Sequence, residues 1–530
     1  MPLTTVRLLA RALARRGARH AFGVPGGETL PLIQALADEG VDFVLVRHEG
    51  SAGFAADACA QLTGGIGVCV ATLGPGATNL VSGLAGCLLD RAPVVAITGQ
   101  VPEHRVGVYT HQTLDQRALF APVCKHSVTL SAQEAWREIP LALRRLLDGR
   151  PGPVHLNVPT DVSGAEQPGV WPDDPPPRLG LPDVSAARAR LAASRRPAIL
   201  VGPGVLRSAA GPALEALAEA CGAPVWTTYK AKGILDEHHP LSAGAVGLSP
   251  PVDALARGML AEADLLLLIG YDAVEMRPHW LPGWPGALPV VAIDRSPPLD
   301  LLCAPVETLV GDIPGILAAL TGPAGGGWVA ERLARYRVEV EALFLEEPGT
   351  LGPATAIRAV QAALPPDAVA TLDVGAHRIT ASHVWRCAAP STLLQSNGFS
   401  SMGYGLPAAI GARLSCPERP VVAIVGDGGL QMSLGELGVV AERGLDLVVV
   451  VLVDESLALI ELKQRRMGLP LRGVRLGNPD FGAVARAYGG VGARAETPEA
   501  VRRAVAEAVA RGGLTIVEAP IDAGAYNRQM

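Results

Sequence analysis

Two runs of apolar, largely β-branched residues, each closing on an aspartate, constrain the fold of this chain more than any other feature. PVVAIVGDGG at 420–429 carries Gly426, Asp427, Gly428 and Gly429, and LDLVVVVLVD at 445–454 ends on Asp454, 27 residues beyond Asp427. Such runs read as strands buried on both faces, the habit of parallel sheets covered by helices. A glycine turn that opens a helix offers backbone N–H groups and the positive end of the helix to an anion. Two carboxylates at neighbouring strand ends can grip one hard cation, and Mg²⁺ takes oxygen ligands that it shares with phosphates. The pair therefore reads as a diphosphate-bound Mg²⁺ site, although an ordinary strand-to-helix turn has the same local sequence. The rest of the chain has to decide between them.

Glu49 falls just past an expected strand at 41–46 and at the start of an expected helix. A carboxylate there can simply answer the helix dipole, a stabilising role of ~0.3–1 kcal/mol. The stretch GVCVATLGPGATNLVSGLAGCLLDRAPVVAITGQV follows at 67–101. With RHE before it and LGPGATN inside it, it resembles the pyrimidine-binding domain of thiamine-diphosphate enzymes of the acetolactate synthase-like family. The resemblance includes FGVPGG at 22–27, HQTLDQRALFAPVCKHS from His111, SNGFSSMGYGLPAAIGA from Ser396 and the GDG segment. It runs in family order over nearly the whole chain.

That resemblance implies a fold of α/β class, with three doubly wound parallel-sheet domains: pyrimidine-binding, central and diphosphate-binding. The length of 530 residues agrees, since about 150 residues per domain suggests three. A Pro- and Gly-rich break follows VHLNVP, and TGPAGGG at 321–327 makes a second. They give expected boundaries of 1–163 for the first domain, 164–189 for a linker, 190–325 for the second domain, 326–350 for a linker helix and 351–530 for the third.

The resemblance also implies thiamine diphosphate and Mg²⁺ as cofactors and assigns site residues. Glu49 matches the glutamate that hydrogen-bonds the cofactor's N1′ and favours its imino tautomer, a contact that asks for a largely water-excluded carboxyl. Met402 matches the bulky residue under the bent cofactor, and the carbonyl of Ser400 would accept from the 4′-amino group. Asp427, Asp454 and the Ser456 carbonyl would hold Mg²⁺, one departure being Val453-Asp454 where many relatives have Asn-Asn. The N–H groups of Gly428 and Gly429 would meet the diphosphate beside Gly426. His377, after Gly375 in DVGAHR, matches a phosphate contact or caps a turn. Gly26 of the glycine loop faces the substrate, while Pro75 and Asn79 of LGPGATN hold the pyrimidine ring by packing and backbone contact. His111 and Gln112 also face the substrate, His111 as a proton shuttle or as a structural partner.

The implied reaction is decarboxylation of a 2-keto acid, pyruvate first among them, with transfer to a second carbonyl compound. A non-carboligating decarboxylase of the benzoylformate or phosphonopyruvate kind, a flavin-dependent pyruvate oxidase and a catalytically silent cofactor-binding subunit are the alternatives. Tyr271 and Lys463 stand where biosynthetic relatives place an arginine and a tryptophan that select the second keto acid. Lys463, Arg465 and Arg466 are either a solvated helix face or, if one points inward, a site for an anion. FAD is possible in the central domain but not favoured, since Gly202 and Gly204 form a lone G-x-G without the remaining fingerprint glycine. The family commonly forms homodimers or homotetramers with each active site between two chains.

Composition excludes rival classes. A net charge of −6 gives no electrostatic footprint for nucleic acid. No apolar run approaches the ~18 residues that span a membrane. The eight cysteines, at 59, 69, 87, 124, 221, 303, 387 and 416, have no C-x-x-C or metal spacing and read as reduced core residues. The arginine-bearing N-terminal segment has apolar Val6, Leu9 and Leu13 on a helical pattern and reads as the first helix of the fold. With no targeting signal, a cytoplasmic location is expected.

Overall fold

The computed structural model describes residues 3–168, 179–276, 280, 288–298, 302–322 and 327–530. Three six-stranded sheets follow one another along the chain, and every strand pair in them is parallel. In spatial order the first sheet runs Asp42–Leu45, His20–Val24, Gly67–Ala71, Val94–Gln100, Val154–Pro159 and His126–Thr129. The third runs Leu393–Gln395, Val369–Leu372, Val421–Gly426, Leu447–Val453, Leu514–Pro520 and Val491–Arg494. Counted within each sheet these have the same order, second, first, third, fourth, sixth, fifth. The likeness of the first and third domains, invisible in their residues, is a likeness of topology.

The second sheet is different. Its strands Pro197–Val201, Val225–Thr228, Ser242–Val246, Leu265–Ile269, Val290–Asp294 and Glu307–Val310 lie in the order third, second, first, fourth, fifth, sixth, an arrangement common in dinucleotide-binding folds. The expected linker at 164–189 and the break at 321–327 lie partly outside the described residues, as does part of the GYDAVEMRPHW stretch. The helix Ala330–Ala342 stands within the expected linker helix.

A single apolar core joins the first and third domains. Phe22, Leu80 and Leu84 belong to the same buried cluster as Tyr404, Leu406, Val449 and Ile516. Its centre is the contact of the helix Glu49–Thr63 with the helix Gly405–Ser415, which the small residues of AAIGA allow. A Cβ on Gly411 would stand 2.2 Å from the Ala55 carbonyl oxygen, so only glycine permits this approach. At the edge of the contact the Tyr404 hydroxyl donates to Asp57 at 2.9 Å. The second domain is tied in by charge. Asp90 accepts from the Ser396 hydroxyl at 2.8 Å and the Asn397 N–H at 2.9 Å, with buried Lys230 Nζ at 3.5 Å.

The helix after the third-sheet strand Val421–Gly426 departs from expectation. It begins at Asp427 itself, with no separate glycine turn, and breaks at Leu434–Glu436 into two short helices. The break serves packing: Glu436 reaches across to accept from the N–H groups of Arg47 and His48, each at 3.1 Å. The eight cysteines are free thiols, all buried except the half-buried Cys303. No helix among the described residues is long and apolar enough to cross a membrane.

Gly411→Ala should push the two helices apart and cost about 1–3 kcal/mol, as overpacking does. Chemical unfolding checks this through a lowered midpoint.

Candidate active site

Glu49 is the first residue of its helix and is 7% exposed. The preceding His48 caps the helix, its Nδ1 accepting from the Gly50 N–H at 3.0 Å. The Glu49 carboxylate is therefore not needed as a cap. Its Oε2 accepts from Asn79 Nδ2 at 2.9 Å, and its Oε1 lies over Gly76, where a Cβ would come within 3.1 Å. Asn79 lies on the helix Pro75–Leu89, so the LGPGATN segment contributes a side chain that orients Glu49, beyond the packing expected of it. Thr72 closes the other side of Gly76 and hydrogen-bonds Glu28, which also accepts from the Leu73 N–H at 2.9 Å. Gly26 sits against Thr72, where a Cβ would meet the Thr72 hydroxyl at 2.3 Å.

The two aspartates meet at the C-terminal ends of adjacent strands, as expected. Asp427 Oδ2 accepts from the Glu455 N–H at 2.8 Å, and Asp454 Oδ1 from the Ser456 N–H at 3.1 Å. Burial, with the charge of Asp427 beside it, pushes Asp454 up to about 7. A buried and a half-buried carboxylate that repel each other are the donor set a divalent cation relieves. Glu455, in the turn just after Asp454, has φ +54, a strained conformation for a residue with a side chain.

The surrounding groups suit a diphosphate. His377 is 5% exposed, near Gly375 and Gly426, and its Nε2 is a buried polar atom with no hydrogen-bond partner. Burial, reinforced by Arg378, holds this imidazole down to about 4, so a neutral ring with one unspent nitrogen faces the turn. The Gly428 N–H does not stand free as expected: because the helix starts at Asp427, that carboxylate folds back and accepts it at 2.8 Å. Gly429 makes room for Asp373, whose Oδ2 a Cβ would meet at 2.0 Å.

Asp373 organises the Met402 loop. It accepts from Val374 N–H at 2.6 Å, Gly403 N–H at 2.9 Å and Tyr404 N–H at 3.2 Å, and burial pushes it up to about 6 against those bonds. Met402 thereby rests over the helix start, its Cε 3.4 Å from a Cβ built on Gly428. Ser400 has φ +57, a backbone region that favours glycine. Its hydroxyl donates to the Asn397 carbonyl at 2.8 Å and receives Arg378 at 3.3 Å.

Other expected residues lie apart. His111 and Gln112 are exposed, on a loop whose Gln112 carbonyl lies against Gly74. Arg465 pairs with Glu461 at 2.7 Å and borders a cleft that Asp454 and Ser456 also line, and Arg466 donates to chain carbonyls near the C-terminus. Lys463 is exposed. Tyr271 is 2% exposed and lines a cleft of about 520 Å³ between the first and second domains, along with Gly204, Asp294, Arg91 and Asp272. Glu28, Asn79, Asp373, Glu461 and Asn478 have structural parts in this region that residue types alone did not announce.

The chain matches the thiamine pyrophosphate enzyme family in three segments. Residues 3–119 match its N-terminal TPP binding domain, 184–320 its central domain and 373–519 its C-terminal TPP binding domain. The chain belongs to this family, and it is a thiamine pyrophosphate-dependent enzyme of the acetolactate synthase family. Among its relatives, the probable 2-ketoarginine decarboxylase AruI of Pseudomonas aeruginosa is 34% identical over 97% of this chain and 94% of its own length. The acetolactate synthase large subunit of Corynebacterium glutamicum is 34% identical over 96% and 84%. Acetolactate synthase isozyme 2 large subunit of Escherichia coli K12 is 33% identical over 91% and 89%.

Asp373→Ala should destabilise the third domain by about 1–3 kcal/mol for each buried N–H left unpaired. The unfolding midpoint in denaturant measures it, and an unchanged midpoint would show that the loop carrying Met402 is held by other contacts.

Proposed function

We infer that the protein decarboxylates a 2-keto acid and joins the remaining acyl unit to a second carbonyl compound, in the manner of an acetolactate synthase. For pyruvate, two molecules and a proton give 2-acetolactate and CO₂. The observation that carries this reading is the buried Glu49 carboxylate, oriented by Asn79 beside a backbone cleared of side chains at Gly76. Thiamine diphosphate, when bound, supplies the carbon nucleophile and the electron sink for loss of CO₂. Glu49 would hold a proton toward the cofactor's pyrimidine ring, Met402 would pack beneath the cofactor, and the Ser400 carbonyl would accept from its amino group. Asp427, Asp454 and the Ser456 carbonyl hold Mg²⁺. His377 Nε2 would give a phosphate oxygen its hydrogen bond beside Gly375 and Gly426, while the space over Gly428 and Gly429 is taken by Leu476 and Asp373. Gly26, Pro75, His111 and Gln112 border the reacting centre.

The hydrogen bonds of Glu49 run to Asn79 and those of Ser400 to Arg378 and Asn397, so the two halves of the site do not meet through them. Exposed apolar side chains flank both halves: Val108 (82% exposed) and Tyr109 near His111, Met432 (65%) and Phe399 near Met402. A second copy of the chain would cover them and bring Glu49 of one copy to the diphosphate half of the other. FAD is not part of this reading. The walls of the central cleft are bridged by Arg91 and Asp272 at 2.5 Å, with Arg150 at 3.6 Å from the same carboxylate.

Simple decarboxylation to an aldehyde is the second reading, favoured by the likeness to the Pseudomonas decarboxylase. Incubation with pyruvate, thiamine diphosphate and Mg²⁺, followed by NMR, should give 2-acetolactate. Glu49→Gln should lower its rate by ~10²–10⁴, the range of general acid–base contributions. Acetaldehyde alone would establish the second reading.

A further inference from the structure

Asp427 does not present its two oxygens equally. Oδ2 takes two N–H donors at 2.8 Å, one from the Glu455 backbone and one from Asn478 Nδ2. A carboxylate oxygen has about two lone-pair sites, so Oδ2 is filled. Oδ1 takes only the Gly428 N–H, at 2.8 Å, and keeps a site to spare. The Asn478 amide cannot turn over, because its own oxygen accepts from Gln431 Nε2 at 2.8 Å.

Asn478 ends an extended segment, 472–478, that straps both cation-bearing turns. Val474 accepts from the Leu457 N–H at 2.8 Å, and the Leu476 N–H donates to the Glu455 carbonyl at 2.9 Å. Arg475 reaches Glu461 at 2.9 Å, and Glu461 accepts the Ser456 hydroxyl. The Leu476 side chain lies over Gly428, 3.0 Å from a Cβ built there. Within the strap only Val474 is buried. Its order rests on these contacts, on the paired hydrogen bonds of Arg472 with Gln464 and on buried Val474, and a segment with so little buried surface opens more readily than the core.

We propose that Asn478 is a positioning residue: it commits Asp427 Oδ1 to the divalent cation and couples closure of segment 472–478 to cation binding. The proposal rests on the reading of Asp427 and Asp454 as the Mg²⁺ carboxylates. Partners of this kind, which orient a ligand without touching the metal, typically cost 10–100-fold in metal affinity when removed. Because linkage is reciprocal, a cation that needs the closed strap also holds it closed.

The test uses the full chain and two readouts. The first is the Mg²⁺ concentration that half-saturates thiamine diphosphate binding, followed by intrinsic fluorescence. The second is the rate of tryptic cleavage at Arg472 and Arg475. In the wild type, Mg²⁺ with thiamine diphosphate should protect both arginines. Asn478→Leu, of similar size but without the donor, should need about 10–100-fold more Mg²⁺ and lose protection at the wild-type concentration. Gln431→Leu, on an exposed side chain, should shift both readouts in the same direction by less, and it decides the matter if Asn478→Leu does not fold. Wild-type protein that binds the cofactor without any need of Mg²⁺ would overturn the metal reading itself. A wild type that needs Mg²⁺, with variants matching it in Mg²⁺ dependence and in cleavage, would overturn the role of Asn478 alone.

Discussion

The close contact between the helix Glu49–Thr63 and the helix Gly405–Ser415 is the constraint on which the rest depends. It needs glycine at Gly411, where the neighbouring backbone comes within 2.2 Å of a would-be Cβ. Through it the first and third domains share one apolar core, and the helix that begins at Glu49 is held at fixed height against the helix that follows Met402. Each half-site of the chain is thereby carried on a rigid element, because neither helix can move without opening the core. Glu436 strengthens the same junction, accepting from Arg47 and His48 just before Glu49.

Much of this was legible in the sequence, and the reason is physical. Unbroken Val, Ile and Leu runs have few outcomes other than strands buried on both faces, so parallel sheets were expected from the pattern, while their division into three domains was what the family resemblance implied. Strand ends that close on Asp427 and Asp454 had to bring carboxylates to the same edge once those strands were neighbours. Glu49 at a helix start was equally plain. What the residues left open was what its carboxylate does there: His48 already caps the helix, and Asn79 takes the carboxylate instead.

The parts that were not legible depend on partners remote in the chain. Asn79 is 30 residues from Glu49, Asn478 is 51 from Asp427, and Glu436 is 389 from Arg47. An asparagine in a loop or a glutamate on a broken helix carries no periodic signal, and only the packed structure says which polar group it meets. The arginines of the helix Ala458–Arg466 show the reverse case. Their charge left a solvated helix face and an anion site both open, and the structure engages Arg465 and Arg466 with Glu461 and the carbonyls near the C-terminus.

In the proposed assembly Glu49 and Asp427 serve one cofactor from two copies of the chain. Co-expression of Glu49→Gln with Asp427→Asn tests it most directly, with cofactor-dependent release of CO₂ from a 2-keto acid as the readout. Each variant alone should be nearly inactive, while the mixed assembly should regain a substantial part of wild-type activity through sites that take Glu49 from one copy and Asp427 from the other. A mixed assembly as inactive as either variant would contradict the shared site, and full activity of Glu49→Gln by itself would contradict the role given to that carboxylate.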